Sequence, residues 1–263
     1  MLRFVLFLFL IPLFTVQLGF IGDSQAGEPL FQEDFDNRDG TSFAASALNH
    51  KHIELAEGAG PDGSDAIRVA YAGYERGSQR VVLRYPLSKV TNQATLSFHV
   101  RFDRGFQWVR GGKLHGLGPD RHITGGRKRV PEGWSARMMF KADGRISTYL
   151  YDQDTTKKWG IGDVSESPVF QAGEWHHVLF QVSLNTPGQA DGFARIFIDG
   201  KKVVTTENVL FRGSGGAGTS IRKFLFSTFH GGSNPTWTPV DAQGGPTTVY
   251  AYFDNFLVVD GIH

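Results

Sequence analysis

The chain has 263 residues, 40% of them hydrophobic, so it is long enough to bury the core of one large domain. It contains no cysteine, which excludes disulfides, thiolate metal ligands, a lipidated cysteine and a cysteine nucleophile. The net charge of +1 indicates no partner by itself, and no internal repeat or low-complexity linker divides the sequence, so we predict a single domain over residues 27–263.

The first residues have the pattern of an export signal. Arg3 precedes an apolar run over residues 4–20, and Ser24-Gln25-Ala26 offers a small-x-small cleavage site. We predict that residues 1–26 are a signal peptide, that the mature protein is secreted or periplasmic, and that it makes no membrane contact after cleavage. The alternative is a retained membrane anchor, against which the shortness of the apolar run argues.

Short alternating runs follow the signal, with Gly, Pro, Asn and Asp between them and no long helical period. This pattern predicts an all-β fold, an antiparallel sandwich. The predicted strands cover residues 30–35, 67–71, 81–85, 95–103, the hairpin described below, 173–184, 193–199, 202–204, 223–230 and 249–259. In residues 95–103 the apolar side chains point one way, while His99 and Arg101 point the other way and are candidate substrate-binding residues.

Residues 101–145 carry eleven lysines and arginines against four aspartates and glutamates. This excess indicates a region that attracts anions, although a solvated face without a ligand is the alternative. The cations share their segments with aromatic residues and a polar strand face, which favours a site for a polyanion. Since the sequence has no helix-turn-helix, zinc finger or aromatic RNA-binding motif, we predict no nucleic-acid partner.

Residues 134–151 have the period-2 pattern of a strand pair. The positions Ala136, Met138, Phe140, Ile146 and Leu150 are apolar, and most of the positions between them are polar. A three-residue loop, Ala142-Asp143-Gly144, keeps the apolar side chains together and places Arg137 opposite Tyr149 and Ser135 opposite Tyr151. A two-residue Asp-Gly turn is the alternative, and it would separate the arginine and the tyrosines onto opposite faces.

The sequence lacks the motifs of several other classes of enzyme. No glutamate begins a Glu-x-Asp, so the paired carboxylates of a sandwich-fold glycosidase are missing, and no Gly-x-Ser-x-Gly elbow, phosphate loop or His-Glu-x-x-His occurs. His176 and His177 are adjacent on a strand and therefore point to opposite faces, which argues against a metal site. In Arg110-Gly111-Gly112-Lys113, the paired glycines permit a bulge or a close backbone approach, and Lys113 is displayed just beyond them. An ordinary solvated lysine is the alternative.

The polar set that remains suits β-elimination in a uronate polysaccharide. That reaction needs a cation to neutralise the sugar carboxylate before the adjacent carbon can lose its proton, a role for which Arg137 and Lys113 are suited. A tyrosine becomes a base only where neighbouring cations favour its phenolate, and a tyrosine opposite an arginine is such a place. One tyrosine could act as base and then acid, or Tyr149 and Tyr151 could divide the work. Alternatively, both are strand aromatics that merely cover Arg137.

The chain also resembles a known family. Residues 106–117, FQWVRGGKLHGL, resemble the Phe-x-Phe-Val-Lys-Gly-Gly-Lys-Leu-Pro-Gly-Leu block of polysaccharide lyase family 14, the alginate and glucuronan lyases with a β-jelly-roll fold. Further similar blocks follow in order: Gly125-Gly126-Arg127, Ser135-x-Arg137, Tyr149-x-Tyr151, Gly173-Glu174-Trp175, residues 185–192, Asp199-Gly200-Lys201, and Phe226-Ser227-Thr228-Phe229 leading into Gly231-Gly232. Arg110, His115 and His230 depart from the family pattern.

The resemblance implies a β-jelly-roll lyase that needs no metal or other cofactor and leaves an unsaturated uronate end. It also implies catalytic roles for Lys113, Ser135, Arg137, Tyr149 and Tyr151. We add Arg110, His230 and Trp237, with His99 and Arg101, as candidate substrate-binding residues, and we expect a monomer that acts on an anionic polysaccharide. The alternative function is a non-catalytic, lectin-like module that binds acidic polysaccharide through the same groove.

Overall fold

The computed structural model describes residues 29–37 and 40–263. The predicted signal peptide, residues 1–26, lies outside the described residues. Within the part of the chain that is described, no helix is long and apolar enough to cross a membrane.

The described residues form one α-helix and fourteen strands. The helix is α1 (Ser42–Leu48), and the strands are β1 (Phe31–Glu33), β2 (Ile53–Ala56), β3 (Ala66–Tyr74), β4 (Gly77–Ser78), β5 (Val81–Thr91), β6 (Gln93–Phe102), β7 (Gly111–Gly118), β8 (Ser135–Lys141), β9 (Ile146–Tyr151), β10 (Trp175–Ser183), β11 (Gly192–Ile198), β12 (Lys201–Val209), β13 (Ile221–His230) and β14 (Thr248–Asp260). The sequence pattern did not predict α1, β2, β4 or β7. The first three are too short to establish a period, and the glycines of β7 obscure its alternation.

All strand pairs are antiparallel and belong to two sheets. The larger sheet has the order β12-β11-β10-β6-β14-β3-β2, with β1 added to β14 and β4 to β3, and the smaller has the order β5-β13-β7-β8-β9. Consecutive hairpin pairs alternate in these orders with pairs that are distant in sequence, such as β6 with β14 and β5 with β13, as in a jelly roll, so the predicted all-β sandwich is confirmed.

The core lies between the two sheets. From β6 of the larger sheet, Leu96, Phe98, Val100 and Phe102 are fully buried, and from β8 of the smaller sheet the alternate residues Ala136, Met138 and Phe140 join the same hydrophobic cluster. Because side chains alternate along a strand, the residues between these point away from the core. The smaller sheet therefore presents the odd positions of β8 on its outer face.

The hairpin of β8 and β9 has the predicted register. Arg137 lies opposite Tyr149 and Ser135 opposite Tyr151. The three loop residues, Ala142–Gly144, include Gly144 in the left-handed region at φ 73°, and the Lys141 N–H donates to the Arg145 carbonyl oxygen at 2.7 Å. This loop fixes which side chains share the outer face, and it brings the arginine and both tyrosines together.

Strand β7 contains a bulge after Lys113 and not at the paired glycines Gly111 and Gly112, which pair regularly with β8. Lys113 lies opposite Met139 and Gly116 opposite Arg137, so two residues of β7 lie opposite one of β8. Inside the bulge, Leu114 and His115 are both fully buried. A Cβ atom on Gly116 would lie 2.1 Å from the Ala136 carbonyl oxygen and 2.8 Å from Arg137 Cγ. The Arg137 side chain therefore lies across a position that only glycine can occupy.

We expect Gly116→Ala to lower the free energy of unfolding by about 1–3 kcal/mol, the usual cost of overpacking, and to displace Arg137. The matched control is Gly105→Ala, since a Cβ atom on Gly105 meets no heavy atom within 4 Å. Chemical denaturation of both variants measures the difference. An equal stability of the two variants would contradict this packing.

Two buried histidines make the fold sensitive to acid. His115 is fully buried against Phe226 and Phe253, and burial holds its pKa well below the usual value of 6.5. His230 is 1% exposed, stacks on Phe106, and hydrogen-bonds through Nε2 to the Gln107 carbonyl oxygen at 2.7 Å. Burial lowers the pKa of His230 to about 4. Both rings are therefore neutral in the folded protein at neutral pH.

His230 binds a proton near pH 6.5 in the unfolded chain but only near pH 4 in the folded protein. Its contribution to the free energy of unfolding is therefore fully present above pH 6.5 and is lost as the pH falls from 6.5 to 4. For His230 alone we expect a loss of roughly 3 kcal/mol. Denaturant titrations at several pH values measure the slope, and His230→Phe should reduce it by the contribution of one proton. A slope unchanged in His230→Phe would rule out this origin.

Candidate active site

The outer face of the smaller sheet is the floor of a cavity of about 840 Å³. Three loops surround it: residues 119–134, 159–164 and 231–237. The side chains that line it come from every strand of the sheet: Arg80, Val82 and Arg84 at β5, Leu225, Ser227 and Phe229 of β13, Lys113 of β7, Arg137, Met139 and Lys141 of β8, and Ser147, Thr148 and Tyr149 of β9, with His122, Thr124, Arg127, Trp159, Ile161, Val164, Ser233 and Trp237 from the loops.

The charge of the lining is one-sided. Among the described residues that line the cavity, six are lysine or arginine and none is aspartate or glutamate. A glycosidase needs two carboxylates in opposition, so this cavity does not support paired-carboxylate hydrolysis. A dense set of cations without counter-charges in a concave site instead attracts an anionic ligand.

Arg137 is at the centre of the cavity floor. Its side chain is only 6% exposed, its Nε has no hydrogen-bond partner, and no carboxylate among the described residues pairs with it. Burial lowers its pKa, although Tyr149 and Tyr151 act in the opposite direction. A buried guanidinium without a counter-ion is costly, so the fold retains a charge whose partner must come from outside.

Lys113 lies beside Arg137 and above Tyr149. Its Nζ is 3.5 Å from the centre of the Tyr149 ring and 3.0 Å from Met139 Sδ. Burial, followed by the charges of Arg137 and Lys141, lowers the pKa of Lys113 well below its usual value. Lys113 therefore loses its proton at a lower pH than an ordinary lysine does. The neutral amine has no carboxylate partner and can accept a proton.

Tyr149 is a protonated phenol at neutral pH. Burial and the hydrogen bond with Tyr151 raise its pKa, and the opposing effect of Arg137 is smaller. The Tyr149 and Tyr151 hydroxyls are 3.4 Å apart, and the Arg137 guanidinium carbon is 5.4 Å from the Tyr149 ring centre. The expectation that neighbouring cations favour the phenolate is thus not met here, because burial outweighs them. In this state Tyr149 is suited to donating a proton.

Ser135 and Tyr151 share this face of the sheet but lie under the loop 119–134. The Ser135 hydroxyl is fully buried and donates to the Ile123 carbonyl oxygen at 2.6 Å. The Tyr151 hydroxyl accepts from the Gly126 N–H at 2.9 Å. Neither residue lines the cavity, so the geometry gives them a supporting position: both hold the loop, and Tyr151 also contacts Tyr149.

The five candidate binding residues lie in three different places. Trp237 lines the cavity, and the Arg110 guanidinium carbon is 5.3 Å from its ring centre. His230 does not face the cavity, because it points into the core between the sheets. His99 and Arg101 lie on β6 of the larger sheet, where Arg101 stacks between Tyr252 and Trp175 and His99 lies against His177. The expectation that these three residues face the cavity is corrected. The polar side of β6 is the outer face of the other sheet, and the alternation of a strand cannot tell which sheet contains it.

Several residues that line the cavity were not predicted from the sequence. Arg84, His122, Met139 and Ser227 all line the cavity. Arg84 lies on a predicted strand, but its place in the cavity depends on the pairing of β5 with β13. His122 lies in a loop without a motif. Among the described residues, no cluster of three or more histidines and carboxylates is placed to hold a metal ion.

Comparison with known proteins identifies the family and the fold of the chain. The family model for polysaccharide lyase 14 matches residues 73–256. Among solved structures, the alginate lyase Aly36B, in a variant bound to an alginate tetrasaccharide, is 24% identical over 90% of this chain and 99% of its own, with a TM-score of 0.71. An alginate lyase of the same family from Aplysia kurodai is 21% identical over 89% and 100%, with a TM-score of 0.66.

A more distant structure has the same fold. The endo-β-1,4-glucuronan lyase of the fungus Trichoderma reesei is 15% identical over 89% of this chain and 96% of its own, with a TM-score of 0.59. No curated protein sequence matches the chain. At these identities the solved structures establish a common fold, and the family model establishes the family.

Proposed function

Since the chain belongs to polysaccharide lyase family 14, we propose that it cleaves a uronate-containing acidic polysaccharide by β-elimination. The observation that carries this proposal is a cavity with six cationic side chains and no carboxylate, in which Arg137, Lys113 and Tyr149 meet. Structures with the same fold include enzymes named for alginate and for glucuronan, which are both uronate polymers. The expected product is an unsaturated uronate at the new non-reducing end.

Arg137 binds the carboxylate of the sugar that loses its proton. While this carboxylate keeps its full charge, the C5 proton is scarcely acidic, and a guanidinium held beside it stabilises the negative charge that develops as the proton leaves. The buried, unpaired state of Arg137 supports this role, because a substrate carboxylate supplies the counter-ion that the fold lacks.

Lys113 and Tyr149 move the protons. The Lys113 amine removes the C5 proton and becomes an ammonium, the C4–O bond breaks as the C4=C5 double bond forms, and the Tyr149 phenol protonates the departing oxygen. The Lys113 ammonium then releases its proton to solvent and the Tyr149 phenolate takes one up, which restores both groups. The net change transfers one proton from C5 to the leaving oxygen and needs no other reactant.

The measurement that tests this function is the ultraviolet absorbance of unsaturated uronate after incubation with polymannuronate, polyguluronate and polyglucuronate. We expect absorbance to increase with at least one of them. If the protein bound these polymers but produced no absorbance with any of them, the lectin-like module would be favoured, in which the same cations only bind carboxylates. We further propose that the mature chain begins after residue 26 and works as a secreted or periplasmic monomer.

A further inference from the structure

Two arginines on the β5 side of the cavity have no acidic partner among the described residues. Arg84 Nε donates to His122 Nε2 at 2.8 Å, and the Arg80 guanidinium carbon lies 5.8 Å from the ring centre of Phe229. Both arginines line the cavity. Burial, followed by the charge of Arg84, lowers the pKa of His122 to about 4, so its neutral ring orients the Arg84 guanidinium without neutralising it.

Ser227 lies on the cavity floor beside these arginines. The residue lines the cavity but is only 2% exposed, and its Oγ is buried without a hydrogen-bond partner. Its backbone N–H donates to His115 Nδ1 at 3.2 Å, which fixes the strand at this point. A buried hydroxyl is nearly always paired in a folded protein, so the Ser227 hydroxyl is available to a ligand in the cavity.

The sheet register gives the positions of Arg84 and Ser227 relative to Arg137. Ser227 lies opposite Val82, and Leu225 lies opposite Arg84, so Arg84 is the diagonal neighbour of Ser227, about 7–8 Å away. Two strands, β13 and β7, separate the strand of Arg84 from that of Arg137, which makes their backbones about 14 Å apart at the usual spacing. The Arg84 charge still reaches Arg137 and lowers its pKa, so the two guanidiniums are near enough to bind carboxylates of neighbouring sugars in one polymer.

The opposite wall differs in charge. Strand β9 and the segment 159–164 line the cavity with Ser147, Thr148, Tyr149, Trp159, Ile161 and Val164, and they contribute no charged side chain to it. A polysaccharide that crosses the sheet from β5 to β9 would thus meet free cations on one side of the cleaved bond and neutral side chains on the other.

Resting on the proposed function, we propose that Arg84 and Ser227, with Arg80 beside them, form a second carboxylate-binding subsite for the sugar that neighbours the cleavage point on the β5 side. Arg84 binds the carboxylate, Ser227 donates or accepts a hydrogen bond at the same sugar, and His122 is a positioning residue that holds Arg84. The subsite selects for a second acidic sugar next to the one that reacts.

The test measures two quantities on a mannuronate or glucuronate hexamer: kcat/KM in the active chain, and affinity by calorimetry in the Lys113→Ala chain. Arg84→Ala should weaken both about tenfold, or about 1.4 kcal/mol, and Ser227→Ala about threefold. Combining the two substitutions should give less than the product, because both groups act on one sugar. On a hexamer whose carboxyl groups have been reduced to alcohols, Arg84→Ala should change affinity by less than twofold.

Arg195→Ala is the matched control, because Arg195 is a partly exposed arginine of the larger sheet, paired with Glu207 at 3.1 Å. It should leave both quantities unchanged. If the wild-type chain cleaves the hexamer and Arg84→Ala and Ser227→Ala stay within twofold of it, the subsite is refuted and the lyase function stands. If the wild-type chain neither cleaves nor binds any uronate oligomer, the lyase function fails and the subsite fails with it.

Discussion

Replacing Lys113 by arginine is expected to lower kcat/KM about a thousandfold, nearly as much as replacing it by alanine. A general base contributes roughly 10²–10⁴-fold, and arginine cannot act as one because its guanidinium keeps its proton at any working pH. Arginine does preserve the positive charge, so this substitution separates proton transfer from charge neutralisation. Steady-state kinetics on the preferred uronate polymer measure the loss.

The pH profile gives an independent measure of the same role. If the Lys113 amine is the base, kcat/KM rises with pH until this amine is deprotonated. Lys141 lowers the pKa of Lys113 by charge repulsion, so Lys141→Gln should raise that pKa and move the acid limb of the profile to higher pH. Activity above about a tenth of wild type in Lys113→Arg, with an unmoved limb in Lys141→Gln, would return the role of base to a tyrosine.

Tyr149→Phe is expected to reduce kcat by about 10²–10⁴-fold with little change in KM. Phenylalanine keeps the ring beneath Lys113 Nζ, so the packing and the cation–π contact remain and only the hydroxyl is lost. Tyr252→Phe is the control, because Tyr252 lies on the outer face of the larger sheet against Arg101 and should retain full activity.

A substrate with an activated leaving group distinguishes the acid role of Tyr149 from a base role. A uronate that carries a nitrophenyl ether at C4 expels an anion that needs no proton, so Tyr149→Phe should cleave it at close to the wild-type rate. If Tyr149 instead removed the C5 proton, the variant would be as defective on this substrate as on the polymer. Release of nitrophenolate follows the reaction directly.

The register of the β8–β9 hairpin can be predicted from the sequence because it depends only on the alternation of the two strands and on the length of their loop. Alternation assigns Ala136, Met138 and Phe140 to one face, and the three-residue loop sets the register, so Arg137 and Tyr149 were placed opposite each other before any tertiary contact was known. Gly111 and Gly112 likewise predict a bulge or a close backbone approach beside Lys113, and the bulge is found just after Lys113. The family resemblance joined these two segments into one candidate site.

The sequence by itself therefore determined the strand class, the register of the hairpin and the central cations, since each follows from neighbours a few residues apart. Only the tertiary structure decided which polar faces meet. His99 and Arg101 are on the outer face of the larger sheet, His230 turns into the core, and Arg84 and Ser227 join the cavity through a pairing of strands about 140 residues apart. It also decided the protonation of Tyr149, because burial, which is a property of the whole fold, outweighs the cations nearby.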